Sequence, residues 1–228
     1  MAPVFLIGGG RDDHAVRASH AGFVRACGER PIVAIVLDEG EHTDARRWTG
    51  ALALAGAAAA HAVVVSPERP PAREQVAGAA GIYVAGGWTP GYADALVAAG
   101  AGWLPRDVPY AGYSAGAAIA AARAIVGGHR REDGRAVCAE EAGEDLEALA
   151  VHAGLGLVPF AVDVHATQWG TVTRLIHTVR AGLAPEGWAV DEGTVLIYDG
   201  DRVARVEGVG SAYRVTGGDL RLEVAVAA

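Results

Sequence analysis

Short apolar segments alternate with alanine-rich segments along the first half of the chain. Each apolar segment is nearly continuous in apolar residues, as parallel strands buried on both faces are, and the alanine-rich segments contain good helix formers. The alternation predicts an α/β fold, a three-layer, doubly wound, mostly parallel sheet whose ligands bind at the carboxyl ends of strands. The predicted strands are Pro3–Ile7, Pro31–Leu37, Ala62–Val65, Gly81–Ala85 and Tyr110–Tyr113, and the predicted helices are Asp13–Cys27, Thr43–Ala60, Arg73–Ala79, one that begins at Thr89, and Ala115–Arg123.

The pattern changes after Val126. A polar, glycine-bounded segment up to about Ala150 predicts a loop with an acidic helix. Strand character returns at Leu155–Pro159 and Ala161–His165, followed by a predicted helix at Thr171–Leu183. Beyond it, alternating runs separated by Asp-Gly and Gly-Gly turns predict an antiparallel β-hairpin region on the edge of the same domain. Because no linker or repeat interrupts the chain, residues 1–228 are predicted to form a single domain.

Composition and charge exclude several classes of function. The formal net charge of -8 and the absence of a basic stripe argue against nucleic-acid binding. No signal sequence and no membrane span is recognisable, and Cys27 and Cys138 stand far apart, so we expect a cytoplasmic protein without a disulfide or a metal. Three glycines follow the first strand at Gly8–Gly10, but Asp13 stands where the last glycine of a dinucleotide fingerprint belongs. We therefore expect no cofactor.

The segment Gly112-Tyr113-Ser114-Ala115-Gly116 fits the pattern G-x-S-x-G at the junction of a predicted strand and a predicted helix. This pattern is typical of a tight turn that exposes a nucleophilic serine. A Cβ two positions before or after the serine would collide with the neighbouring strand or helix, which explains the glycines. Ser114 is therefore the candidate nucleophile.

A serine nucleophile needs a base and an acid that orients the base. Among the eight histidines, His165 is the best placed, because it ends a predicted strand and would emerge at the same sheet edge as Ser114. Two acids remain open. Asp163 would leave the strand on the same face as His165, and Glu132 lies in the polar loop after the serine.

The oxyanion that forms on attack needs backbone N–H donors. The residue after the nucleophile and a glycine-rich strand end are the usual sources, which here are Ala115 and Gly87. Thr89 and Gly86, in the same turn as Gly87, are expected near the substrate.

Several of these segments together resemble the dipeptidase E and cyanophycinase family of serine peptidases. The resemblance covers most of the chain and is carried by motifs in the same order, namely Gly86-Gly87, GYSAGA at Gly112–Ala117, Ile125–Gly128 with Glu132, GLGLVP at Gly154–Pro159, Asp163-x-His165, Arg174-Leu175 and Asp191–Thr194. It implies a class I glutamine amidotransferase-like, flavodoxin-like fold. It also implies cleavage of a small peptide or isopeptide bond in an aspartyl or β-aspartyl substrate, and it is compatible with a homodimer.

On the cyanophycinase pattern, the resemblance assigns the nucleophile to Ser114, the base to His165 and the acid to Glu132, which leaves Asp163 as a supporting or substrate-contacting residue. The substrate region departs from the family. Where cyanophycinases have an Arg-x-Arg, this chain has Trp169 and Thr171. Loss of those arginines weakens the case for an acidic substrate. Trp169 is expected either to pack internally or to form a pocket wall.

The primary hypothesis is a serine hydrolase that acts through an acyl-enzyme on Ser114. One alternative is a catalytically inactive domain that binds a small molecule or a partner. Another is an esterase that uses the same turn, although such a fold needs a histidine after the last strands and none follows His177.

Overall fold

The computed structural model describes residues 2–227, without the side chain of residue 101. Its strands are β1 (Val4–Ile7), β2 (Ile32–Leu37), β3 (Ala60–Val65), β4 (Gly81–Val84), β5 (Tyr110–Tyr113), β6 (Arg123–Gly127), β7 (Ala150–Ala153), β8 (Ala161–Val164), β9 (Glu186–Val190), β10 (Thr194–Tyr198), β11 (Val203–Gly208), β12 (Ser211–Thr216) and β13 (Arg221–Val226). Its α-helices are α1 (Asp13–Cys27), α2 (Ala45–Leu54), α3 (Arg73–Val76), α4 (Thr89–Tyr92), α5 (Ala115–Ile119) and α6 (Thr171–Arg180).

A seven-stranded sheet has the order β11-β10-β1-β5-β4-β2-β3. The five strands from β1 to β3 in this order run parallel, whereas β10 pairs antiparallel with β1 and β11 with β10. Parallel crossovers are right-handed, so connections that run in opposite directions along the sheet place α1 and α2 on one face and α3 and α4 on the other. The predicted α/β class with a mostly parallel sheet and additional antiparallel strands is confirmed.

The second half of the chain departs from the prediction of one sheet. Strands β8 and β9 pair in parallel and belong to a separate four-stranded sheet of order β13-β12-β9-β8. Strand β6 pairs with β7 in a two-stranded sheet. The sequence patterns did not identify β9. Its first two residues are a glutamate and a glycine, so it lacks the continuous apolar character of the first strands. The strand that precedes His165 therefore lies outside the sheet that carries Ser114, contrary to expectation.

Four predicted helices, α2, α3, α5 and α6, are shorter than expected, and α2 and α5 differ most. Helix α2 ends at Leu54, because Gly56 adopts a φ of +97° and the chain then enters β3. Helix α5 ends at Ile119, where its alanine-rich continuation turns into β6. The predicted strand at Leu155–Pro159 is a loop. Its backbone is hydrogen-bonded to the end of α5 and the turn that follows, as in the bond from the Leu155 N–H to the carbonyl of Ile119 at 2.7 Å.

The buried side chains pack mainly on both faces of the large sheet. Phe5 and Phe23 meet edge to face between β1 and α1, with ring centroids 5.7 Å apart. Tyr83, fully buried on β4, donates to or accepts from His20 Nε2 at 3.0 Å, so its hydroxyl is satisfied inside the core. Within residues 2–227, no helix combines the length and the apolar character needed to cross a bilayer.

Candidate active site

Ser114 lies at the tight turn between β5 and α5, as the G-x-S-x-G pattern predicts. Its φ of +51° lies in a region that side chains rarely adopt, and such strain costs about 1–3 kcal/mol and tends to be kept at functional sites. The two flanking glycines are required by close contact. A Cβ on Gly112 would lie 2.3 Å from the carbonyl oxygen of Gly116, and one on Gly116 would lie 2.2 Å from that of Val84.

His165 follows directly after β8 and also has a positive φ, +55°. Its Nε2 is 2.9 Å from the Oγ of Ser114, and its Nδ1 is 2.7 Å from Oε1 of Glu192. A carboxylate only accepts hydrogen bonds, so Nδ1 carries the ring proton and donates a hydrogen bond to Glu192. The Nε2 atom of the neutral ring is then the acceptor for the Ser114 hydroxyl. Serine, histidine and glutamate thus form one hydrogen-bonded chain.

The acid that is hydrogen-bonded to His165 is neither Glu132 nor Asp163, the two residues predicted for that position. Glu132 is exposed in a turn; it neither bonds to His165 nor lines the cavity at Ser114. Asp163 is buried and faces away from the imidazole, because the strand ends at Val164 and the left-handed conformation of His165 breaks the alternation of side chains. The structure therefore replaces Glu132 with Glu192 as the acid beside His165.

Asp163 instead forms a buried ion pair with Arg174 of α6. Nε and Nη2 of Arg174 donate to the two carboxylate oxygens at 2.9 and 2.7 Å. Nη1 of Arg174 donates to the carbonyl oxygens of Gly128 and Ala142. The pair thus fastens β8 and α6 to the long loop between β6 and β7, and neither of its residues lines the cavity at Ser114.

We expect Arg174→Met to lower the free energy of unfolding by about 3–5 kcal/mol, because it leaves the Asp163 charge buried without its partner. The matched control is Arg180→Met on the same helix, where the side chain is exposed and the loss should stay within about 0.5 kcal/mol. Urea unfolding of both variants measures the difference. Equal losses in the two variants would contradict the role given to the pair.

The end of β1 connects the three segments that carry the hydrogen-bonded chain. The carbonyl oxygen of Ile7 accepts from the N–H of Ser114 at 2.9 Å, that of Gly8 from His165 at 2.9 Å, and that of Gly9 from Gly193 at 2.8 Å. Three consecutive carbonyls thus hold Ser114, His165 and the residue after Glu192. The glycines that follow the first strand are therefore the junction between the two sheets.

A second set of bonds fixes the segment that carries Glu192. In the parallel register of β8 and β9, Val164 lies beside Val190, so the residues that follow each strand are neighbours. The buried carboxylate of Asp191 accepts from the N–H and the hydroxyl of Thr167 at 3.0 and 2.7 Å. The Gln168 side chain accepts from the N–H of Glu192 at 3.0 Å. These bonds hold the acid in reach of His165.

Comparison with solved structures identifies the fold. A crystal structure of a peptidase from an acI-B1 Actinobacterium superposes with a TM-score of 0.68 at 17% identity and covers 99% of this chain and 97% of that one. A candidate Peptidase E protein from Listeria monocytogenes EGD-e superposes with a TM-score of 0.52 at 16% identity, over 98% of both chains. This chain shares their fold. Comparison with protein-family models and with curated protein sequences gives no match.

Backbone N–H donors for an oxyanion lie beside Ser114. The N–H groups of Gly87 and Ala115 have no acceptor within the described residues. Two carboxylates hold the neighbouring turn in place: Glu39 accepts from the N–H of Trp88 at 2.9 Å, and Glu144 accepts from the N–H and hydroxyl of Thr89 at 3.2 and 2.9 Å. The N–H and hydroxyl of Thr89 are therefore hydrogen-bonded to Glu144. Thr89 does not line the cavity, whereas Gly86 and Gly87 do.

Ser114 opens onto a cavity of about 300 Å³ with charged walls. Besides Ser114 and His165, Glu144 of this cavity also has a positive φ, +56°, so three of the four strained non-glycine residues within residues 2–227 meet here. Burial raises the pKa of Glu144, opposed by its bonds to Thr89. The charged lining residues are Arg11, Glu39, Asp44, Arg47, Glu141, Glu144 and Glu192.

The electrostatics of His165 suit a base. Burial lowers the pKa of its imidazole below the ordinary 6.5, and the hydrogen bond and charge of Glu192 oppose that shift without cancelling it. The ring is therefore neutral and ready to accept a proton at neutral pH. Trp169 lies against this ring as part of the cavity wall.

Sequence reasoning missed Glu192, Glu39 and Glu144. The sequence does contain a signal for the first, since Asp191-Glu192-Gly193-Thr194 belongs to the motif series that carries the family resemblance. Its position two residues after β9, the strand that pairs with the strand before His165, would have identified it, had β9 been predicted. Glu39 follows the predicted strand Pro31–Leu37 by two residues, at the sheet edge where ligands bind, whereas for Glu144, in a polar loop, the sequence offers no comparable signal.

Proposed function

We propose that the protein is a serine hydrolase that cleaves a small peptide or isopeptide bond. The observation that carries the proposal is the hydrogen-bonded chain from Ser114 through His165 to Glu192, which opens onto a cavity beside two unoccupied backbone donors. The shared fold with two peptidases supports the same reading. An inactive binding domain would have no need for a strained serine hydrogen-bonded to a neutral histidine.

In the proposed reaction, Ser114 Oγ attacks the scissile carbonyl carbon while its proton moves to His165 Nε2. The N–H groups of Gly87 and Ala115 hold the oxyanion, and Glu192 stabilises the imidazolium through Nδ1. The imidazolium then gives the proton to the departing amine as the C–N bond breaks, which leaves an ester on Ser114. Water, deprotonated by His165, hydrolyses that ester and restores the serine.

The walls of the cavity support a short substrate with charges of both signs. Arg11 and Arg47 are exposed cations that a substrate carboxylate could reach, and Glu39 and Glu141 offer partners for an ammonium group. Two further arginines, in the second half of the chain, do not line the cavity: Arg131 pairs with Asp133 at 2.5 Å, and Arg174 is buried with Asp163. A zwitterionic dipeptide fits this arrangement better than a polyanion does.

Covalent labelling tests the nucleophile directly. An active-site-directed phosphonate should add one equivalent to the protein, and peptide mapping by mass spectrometry should find it on Ser114. Because neutral His165 must accept the proton, the labelling rate should be constant at neutral pH. It should fall on acidification with a midpoint below 6.5, in the direction set by the burial of the ring.

The pH profile is measured as the second-order labelling rate from acid to neutral pH. Unfolding of the protein at each pH is followed by circular dichroism, so that loss of structure is separated from protonation of the base. A midpoint above 6.5, or label on a residue other than Ser114, would contradict the proposed mechanism.

A further inference from the structure

Trp169 lies face to face on the imidazole of His165. Their ring centroids are 3.9 Å apart and their planes differ by 10°, so the indole covers one whole face of the base. The N–H of Trp169 also donates to the carbonyl oxygen of His165 at 2.9 Å, which closes the turn between β8 and α6. The contact is therefore fixed through both the backbone and the side chain.

The imidazole also lies close to the backbone of Gly9. A Cβ added to Gly9 would lie 2.2 Å from Cε1 and 2.6 Å from Nδ1 of His165, so only a glycine leaves room for the ring. With Glu192 at Nδ1 and Ser114 at Nε2, the imidazole is held at both nitrogens, is covered on one face by Trp169 and lies close to Gly9.

Core packing does not account for this tryptophan. Trp169 remains 41% exposed, whereas the histidine beneath it is buried. A large aromatic ring that stays exposed and covers one buried polar ring contributes little to the hydrophobic core. Its main effect is on the ring it covers.

We propose that Trp169 is a positioning residue that, together with Gly9, clamps His165 in the orientation that joins Ser114 to Glu192 and keeps water from the imidazole face. The inference rests on the proposed function. It gives a role to the residue that stands where the resembling family has an arginine. Where that family has a cation that can bind an acidic substrate, this chain has an aromatic ring that covers the imidazole of His165.

Two physical consequences follow from the clamp. Without the indole, the imidazole can rotate away from Ser114, and a displacement of about 1 Å can cost on the order of 100-fold in rate. Water would also reach the exposed face of the ring. Because burial is the largest cause that lowers the pKa of His165, its partial loss should raise that pKa, while Glu192, Asp163 and Arg174 remain in place around the ring.

The test compares Trp169→Ala with Trp169→Phe, which retains an aromatic ring over the histidine. In Trp169→Ala the phosphonate labelling rate at neutral pH should fall by about 10- to 100-fold, and the acid limb should move to higher pH. Trp169→Phe should stay within about threefold of the parent on the same scale. Urea unfolding should show both variants folded, because the tryptophan side chain is substantially exposed.

A second readout is independent of activity. Nuclear magnetic resonance of the imidazole nitrogens, in the Ser114→Ala background and assigned by the loss of signal in His165→Asn, should show the His165 titration moved to higher pH by Trp169→Ala. Unchanged labelling together with an unchanged titration in Trp169→Ala would overturn the inference. If the parent took no label but the titration still moved, the proposed function would fail while the clamp would stand.

Discussion

Replacing Ser114 by alanine should reduce the rate of peptide hydrolysis by about a million-fold. This is the scale of the loss when the nucleophile of a serine-histidine-acid arrangement is removed. No other hydroxyl is hydrogen-bonded to His165 Nε2 within residues 2–227, so no side chain in place can substitute for the missing Oγ.

The measurement uses α- and β-aspartyl dipeptides beside neutral and aromatic ones, with product amines separated by chromatography. Alanine at position 114 keeps a Cβ in the same strained turn, so Ser114→Ala should unfold at about the same urea concentration as the parent. Hydrolysis that persists in this variant would reject the acyl-enzyme. A preference for neutral over aspartyl dipeptides would agree with the absence of the family arginines at Trp169 and Thr171.

Glu192→Gln should lower kcat/KM by about 10⁴-fold with little effect on KM. An amide carries no charge to stabilise the imidazolium, and its NH₂ group can donate to Nδ1, which selects the wrong tautomer of His165. The loss should therefore appear in the chemical step. Stopped assays with the best dipeptide of the panel, over a range of concentrations, separate kcat from KM.

Glu132→Gln is the matched control. It makes the same chemical change at the acid that the family resemblance assigns, and Glu132 is exposed and outside the cavity. Its activity should stay within about twofold of the parent. A large loss in Glu132→Gln with none in Glu192→Gln would restore the cyanophycinase assignment and overturn the acid identified from the geometry.

The elements that were predictable are those whose signal is local. Ser114 was recognisable because a strand, two glycines and a helix must stand side by side to make the turn, and the contacts of Gly112 and Gly116 bear out the steric reason. His165 was recognisable because it directly follows an apolar strand. The parallel part of the large sheet was predictable for the same reason, since continuous apolar runs are typical of strands buried on both faces.

The acid could not be chosen from local signals. Glu192 reaches His165 because β9 lies beside β8 and because the carbonyls of Ile7, Gly8 and Gly9 bring the ends of three distant segments together. Strand order and register between segments far apart in the chain depend on how the sheets pack, and a residue pattern does not contain that information. The alternative left open from the residues, a pairing of Asp163 with His165, is absent for a related reason: the strand ends one residue before the histidine.

The sequence by itself determined the α/β class, the strained turn at Ser114 and the position of His165 at the end of a strand, because each depends on the periodicity and steric demands of neighbouring residues. Only the tertiary structure decided that Glu192 is hydrogen-bonded to His165, that Glu39 and Glu144 hold the turn beside Gly87, and that Trp169 covers His165. These contacts join residues from different strands and loops, and they exist only once the two sheets meet at the end of β1.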